Sequence, residues 1–464
     1  MTFQKLLIFS GKLFKVFSLI LILVLTLYGS QYFFPTESYK NKLRSAFNYG
    51  LLDNNVTERT PTGWGSDKAT ECLSLGIGLS SAENPSQLLM NYHPNSIGTF
   101  NPCQGLKSWA FNETSKYEFL GYARYWHGHS DLIRWLVFLF GIPIARSILW
   151  MIFFLLLIKV ADNLRKSLKE YSCKPGTWSV LTIGTYVFLA GVPDLHSSMT
   201  HLLSEISILL IVIASFTYLE NRSTERIALL GFAMGGLYVV TSYMINPQSI
   251  PAAVLVWSTI PLILKTRKSA PVLKKTFILL SSLITGFVSL WVSKWLLISA
   301  LTNYKIGEEV RNQALHRASQ SASSLSDGVA RHLESFQHLP AFLQAILANV
   351  ATLFSKIYDP RYSNPFSIGI SLGMLGCLIV QLIRMEKSQN IVNSKHRLNL
   401  RTISFGIWSA WLLSLISVLF WYVFLTQHSF DHATYTFRSL GIVLSGLPLA
   451  LATSFWNKVQ ENEL

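Results

Sequence analysis

The chain has 464 residues, half of them hydrophobic and only 14% charged, against about 25% charged in a soluble domain. Its mean hydropathy is positive, which excludes a soluble globular enzyme and a disordered chain. The net charge of +15 does not make nucleic acid a partner, because Lys and Arg accumulate in the retained loops of membrane proteins.

Uncharged runs follow one another at 16–36, 227–264, 363–383, 402–430 and 439–456. A spanning helix needs roughly 20 mostly apolar residues. Its backbone groups must be satisfied within the segment, so such runs are helices. The fold class read from this is all-α, a polytopic membrane helix bundle forming one integral domain over 1–464. About ten spans fit, at 14–34, 138–160, 177–193, 201–219, 227–246, 251–265, 276–299, 364–385, 402–427 and 438–456.

The first span follows a basic flank of Lys5, Lys12 and Lys15. The residues after it, LYGSQYFF, carry no small-x-small cleavage pattern, so it reads as a retained anchor with its N-terminus inside. Four loops on that side are basic: KVADNLRKSLKEYSCK, ENRSTER, KTRKSAPVLKK and RMEKSQNIVNSKHRLNLR. The short loops on the other side, around 193–199, 246–251 and 427–436, hold no Lys or Arg. This bias predicts both termini in the cytoplasm and an inner-membrane location.

Two external segments are long, at about 35–131 and 303–362. Loops of that length are usually functional or disordered. The first is rich in aromatics, including Trp64, Trp109 and Trp126, so it predicts a folded unit with short helices. The second contains a Ser-rich piece, and HLPAFLQAILANVATLFSKI reads as an amphipathic helix lying on the membrane surface. Cys72 and Cys103 share the first loop, where oxidation is possible in a periplasm. They are either free thiols or a disulfide closing a loop of about 30 residues, which stabilises by a few kcal/mol.

In the first loop, GWGSDKATECLSLGIGL predicts a helix capped by Ser66. Asp67 and Glu71 then lie four residues apart on one face, where like charges repel. That pair suits a general base or a cation site; Asp67 at the helix N-terminus and a solvated Glu71 are the structural alternative. Ten of the eleven histidines fall outside or at the outer boundary: His93, His127, His129, His196, His201, His316, His332, His338, His428 and His432, with His396 alone inside. Asp194 and Asp431 sit among them, and Glu205 lies one turn below His201 on the same face. Ionisable groups there mark a water-facing cavity.

The stretch YWHGHSDLIRWL, 125–136, concentrates this chemistry. Tyr125 and Trp126 are interfacial anchors in type. Gly128 permits a sharp turn between His127 and His129. Arg134 follows at the head of an apolar segment, where a planar fork suits phosphate, with snorkelling or a pair with Asp131 as the alternatives. Arg438 holds the same place on the last helix.

Together, SDKATECLSLGIGL, GYARYWHGHSDLIRWLVFLFG, GVPDLHSS and HSFDHATYTFRSLGI resemble a family of bacterial multi-pass membrane proteins. The layout is similar to that of the GT-C glycosyltransferase superfamily, a likeness at the level of fold. That resemblance implies a polyprenyl-phosphate-linked sugar as donor and an acidic residue of the first loop as base. The superfamily's paired acids directly after the first helix have no counterpart here.

The reading that follows is a membrane glycosyltransferase acting on the outer face, with membrane lipid around it and a surface glycan as acceptor. Glu71 or Asp67, then Asp53, supplies the base. Arg134, His127, His129, Tyr125, Asp194, His196, His428, Asp431 and Arg438 hold the substrates. A divalent metal is compatible with the sequence but not required by it. Two other readings stand. One is a transporter or flippase of a lipid-linked intermediate, although mid-helix ionisable groups are few (Arg146, Glu205, Lys294) and the helices show no paired interruption. The other is a polysaccharide polymerase working through Arg311, Arg317 and Arg331 of the second long loop.

Overall fold

A computed structural model of the chain describes residues 3–52, 57–59, 65–79, 85–169, 175–190, 195, 198–242, 246–318, 339–358, 400–431 and 436–453. Among the described residues six helices are long and apolar enough to cross a membrane: Leu7–Phe33, Gly128–Leu168, Met199–Asn221, Ser249–Thr266, Ser269–Leu301 and Thr402–Phe424. The expected spans at 177–193, 227–246 and 438–456 are shorter or more polar as helices, at Pro175–Leu189, Thr224–Thr241 and Arg438–Thr453. The one expected at 364–385 lies outside the described residues.

Helix α1 (Phe3–Ser30) packs on α9 (Thr224–Thr241) and is tied to it by a Lys12–Glu225 ion pair of 2.5 Å. The closest helix pair is α9 with α12 (Ser269–Leu301). The cause is local. Gly231 and Gly235 stand four residues apart on α9, and a Cβ on either would come within 2.4 and 2.0 Å of the Leu279 and Leu283 carbonyl oxygens. Gly286 returns the fit from α12, where a Cβ would lie 2.0 Å from the Phe232 carbonyl oxygen. Small residues at that spacing let two apolar helices meet backbone to backbone in lipid, where no hydrophobic force draws helices together.

Helix α6 (Gly128–Leu168) has 41 residues. Straight, it would measure about 60 Å, twice the hydrocarbon thickness of about 30 Å. It is broken at Gly141, whose φ of 76° and ψ of 166° are open essentially to glycine alone, and Pro143 follows. The polar stretch predicted to precede a span at 138–160 is therefore itself helical, on the arm 128–140. A second interruption is a π turn, Leu255–Thr259, between α10 (Ser249–Val254) and α11 (Ile260–Thr266). Two of the spanning helices are thus interrupted, at places a hydropathy window does not show.

The first long loop folds against the bundle. It contains α2 (Thr36–Asn48), a hairpin of β1 (Thr57–Arg59) and β2 (Gly65–Asp67), α3 (Lys68–Gly76), α4 (Pro85–Met90), β3 (His93–Ser96), α5 (Pro102–Ala110) and β4 (Tyr117–Leu120). Strands β3 and β4 are antiparallel, with His93 opposite Leu120. Helix α5 lies directly on β3, because Gly105 leaves room for the Asn95 backbone; a Cβ would sit 2.4 Å from its Cα. Cys72 of α3 and Cys103 of α5 form a disulfide, Cα atoms 4.9 Å apart. Tyr39 of α2 donates to the Leu75 carbonyl at 2.9 Å, and Arg44 to that of Ala110 at 2.6 Å.

Ser66 and Asp67 belong to β2, and the helix starts at Lys68. Asp67 and Glu71 therefore do not share a helix face; strand pairing with β1 claims the residues read as a cap. The second loop begins with α13 (Ile306–Ala318), whose Glu309 pairs with Arg124 of the first loop at 3.0 Å. Helix α14 (Ala341–Tyr358) does not lie free on a membrane surface. It packs on α15 (Leu400–Phe424), α16 (Thr426–Asp431) and α17 (Arg438–Ser445). Its buried Asn349 donates to the Ser429 carbonyl at 2.9 Å and accepts from Thr436 Oγ1 at 2.6 Å, which accounts for a polar residue on its inner face.

Candidate functional site

Glu71 and His129, two of the residues singled out in the sequence, lie where the first loop sits on α6 and α8 (Met199–Asn221). Ser198 caps α8 and accepts from His201 N at 3.4 Å. Glu71 of α3 reaches this end and is 2% exposed. Its Oε2 accepts from Ser198 Oγ at 3.1 Å, Thr200 N at 3.3 Å and Thr200 Oγ1 at 3.3 Å. A carboxylate is stabilised at such a helix start, where unpaired N–H groups and the helix dipole favour negative charge. Its Oε1 has no hydrogen bond, and the Arg146 guanidinium of α6 stands 3.8 Å away. One turn along α3, Ser74 Oγ lies 3.3 Å from His129 Nε2, which is also 3.2 Å from Ser130 Oγ.

Arg134 is buried and turned inward. Its Nη2 donates to Asp131 Oδ1, which also accepts from Gln31 Nε2 at 2.8 Å. The Phe34 ring lies 5.4 Å from the guanidinium carbon. Gly78, at φ +84°, closes over this fork; a Cβ there would come within 3.0 Å of both terminal nitrogens. Of the alternatives for Arg134, the pair with Asp131 is the one formed.

Tyr125 and Trp126 anchor the stretch to α12 rather than to lipid. Trp126 is fully buried and donates to the Leu290 carbonyl at 2.6 Å. Tyr125 stacks on Trp291, and its carbonyl accepts from Lys294 Nζ and, at 3.1 Å, from Asn91. The indoles of Trp291 and Trp295 both donate to the Arg124 carbonyl, at 2.9 and 3.0 Å. Gly128 is not a sharp turn. Its φ is not positive, and a Cβ would lie 2.4 Å from Val240 Cγ1, so glycine serves close packing of α6 on α9.

His127 is buried beside Tyr122, its Nε2 3.2 Å from that residue's carbonyl, and its backbone N–H donates to Tyr28 Oη at 2.9 Å. His93 is buried beneath Phe100 and Tyr122. Burial pulls His93 down to about 4, and His127 well below the usual histidine range, with Lys294 and His129 adding to the effect. The unfolded chain therefore binds a proton on each near pH 6.5 that the folded loop refuses. Stability is complete above about pH 6.5 and falls as pH drops toward 4, by an amount on the order of 3 kcal/mol for His93. Thermal unfolding or limited proteolysis of the first loop across this range should show the decline, and a flat profile would contradict it.

Elsewhere, Arg438 is buried at the head of α17, its Nε donating to the Ala190 carbonyl at 3.2 Å and its Nη1 standing 3.0 Å from His201 Nδ1. His428 contacts Arg317 of α13. Asp53, Asp194, His196, His332, His338, His396, His432 and Arg331 lie outside the described residues, as do the side chains of Asp67 and Asp431. Arg311 is exposed. Among the described residues no three His, Cys, Asp or Glu side chains gather to hold a metal.

The partners of Glu71 had only a faint local signal. Ser198 before an apolar run is an N-cap pattern, but nothing in the sequence says whose carboxylate it meets. Comparison with known protein families, curated proteins and solved structures finds no match to this chain.

Proposed function

We propose that the chain is a membrane-embedded glycosyltransferase of the GT-C type, moving sugar from a polyprenyl-phosphate donor to a surface glycan on the face that carries the first loop. The observation that supports this most directly is the state of Glu71. Oε2 is held by three donors from the first turn of α8, while Oε1 is left without a hydrogen bond. A buried carboxylate held through one oxygen, with the other left unbonded, keeps an acceptor position for the proton of an acceptor hydroxyl. Arg146 balances its charge, and His129 lies one helical turn away across Ser74.

Arg134 enters this scheme by exchanging Asp131 for the donor phosphate, since a carboxylate and a phosphate each present a pair of oxygens that its planar fork can bind with two hydrogen bonds. The test is transfer from a polyprenyl-phosphate sugar by purified, reconstituted protein. Arg134→Lys should weaken donor use and Arg134→Ala should weaken it further. Full activity in both variants would remove the phosphate role.

A second reading, a flippase of a lipid-linked intermediate, is favoured by the breaks at Gly141 and Leu255–Thr259, because transporters build their sites at interrupted helices. The same vesicles separate the two. Donor lipid that crosses the bilayer while no glycosidic bond forms supports the flippase.

A further inference from the structure

A second buried carboxylate lies deeper in the bundle, and the transfer scheme makes no use of it. Glu205 of α8 is 2% exposed. Tyr186 of α7 (Pro175–Leu189) donates to its Oε2 at 2.8 Å, and the Asn246 side chain also bonds to it. Arg438 of α17 acts on it electrostatically, but the hydrogen bonds of that guanidinium include the Ala190 carbonyl and His201 Nδ1. The other titratable groups facing Glu205 are His201 of α8 and Tyr238 of α9.

Hydroxyl groups line α8 around it. Ser204 Oγ lies 3.0 Å from Ser242 Oγ and 3.4 Å from Tyr238 Oη, and Ser207 Oγ lies 2.8 Å from Thr241 Oγ1. Toward the first loop, His201 stands one turn back on the same face; its backbone N–H donates to Ser198 Oγ, and Ser198 Oγ and Thr200 Oγ1 both donate to Glu71 Oε2. Helices in lipid gain little from such residues unless they find partners. An ionisable group inside a spanning helix is costly and marks an ion path or proton relay by default.

We propose that Glu205 is a proton-exchange site inside the bundle, reached from the loop end through the hydroxyl and imidazole side chains along α8. Ionised, its charge is balanced across the bundle by Arg438; protonated, it remains tied to Tyr186, while Arg438 keeps its bonds to the Ala190 carbonyl and His201. The inference holds for a transferase or a flippase alike.

The test uses the full-length protein in lipid vesicles and a lipid-soluble carbodiimide, which adds only to protonated carboxyl groups, with the modified residue mapped by mass spectrometry. Label should appear on Glu205, increase as pH is lowered from about 8 to about 5, and be lost in Glu205→Gln. A membrane-impermeant, charged carbodiimide should leave it untouched while labelling exposed Glu37. Absence of label on Glu205 at every pH, with the other carboxyl groups modified, overturns the proposal. The wild-type map alone decides this if the Gln variant fails to fold.

Discussion

If the chain transfers sugar as proposed, Glu71→Gln is expected to lower that transfer by about a hundredfold or more, in the range usual for loss of a general base, while donor binding is kept. The substitution retains shape and one carbonyl oxygen to accept from Ser198 and Thr200, but an amide takes no proton. Turnover and donor binding should therefore separate, which marks loss of a transition-state interaction rather than of ground-state binding. Glu71→Ala goes further. It leaves the α8 N–H and hydroxyl donors buried without their acceptor, a cost of about 1–3 kcal/mol per group, and takes the counter-charge from Arg146. Transfer assays on reconstituted protein, beside a donor-binding measurement, check the pair. Full turnover in Glu71→Gln would reduce Glu71 to a staple between loop and bundle.

Gly235→Leu should yield no folded protein in mild detergent. The Cβ alone would sit 2.0 Å from the Leu283 carbonyl oxygen, with the Phe287 nitrogen at 2.9 Å. These are backbone atoms of α12, so no side chain can move aside and the helices must separate. Ordinary overpacking costs about 1–3 kcal/mol; parting two spanning helices along their whole contact exceeds that. Gly235→Ala tests the geometry more narrowly, since it adds only the clashing atom. Gly11→Ala of α1, which meets nothing within 4 Å, is the control and should be neutral. Size-exclusion profile and thermal unfolding of the three proteins suffice, and a monodisperse, unshifted Gly235→Leu would refute the packing.

The sequence by itself determined the class of the molecule, because lipid admits few solutions. Long uncharged runs force helices, as they do at Leu7–Phe33 and Thr402–Phe424. The aromatic content of the first loop likewise signalled a folded unit. What hydropathy could not carry was every effect that depends on one backbone angle or one neighbour. The break at Gly141 is a single φ value, and the π turn at Leu255–Thr259 is one extra residue in a helical turn.

Tertiary structure decided the site. The sequence drew attention to Glu71, His129 and Arg134, because ionisable side chains beside apolar runs are conspicuous at any level of description. It gave Gly128 a turn, and the structure gives it a packing contact with Val240. It put Asp67 and Glu71 on one helix face, and the structure has Asp67 at the end of β2, before α3 begins. The actual partners of Glu71, namely Ser198, Thr200 and Arg146, are more than 70 positions distant in the chain. They are ordinary in their local context, and only the docking of a loop helix on the start of α8 brings them to one carboxylate.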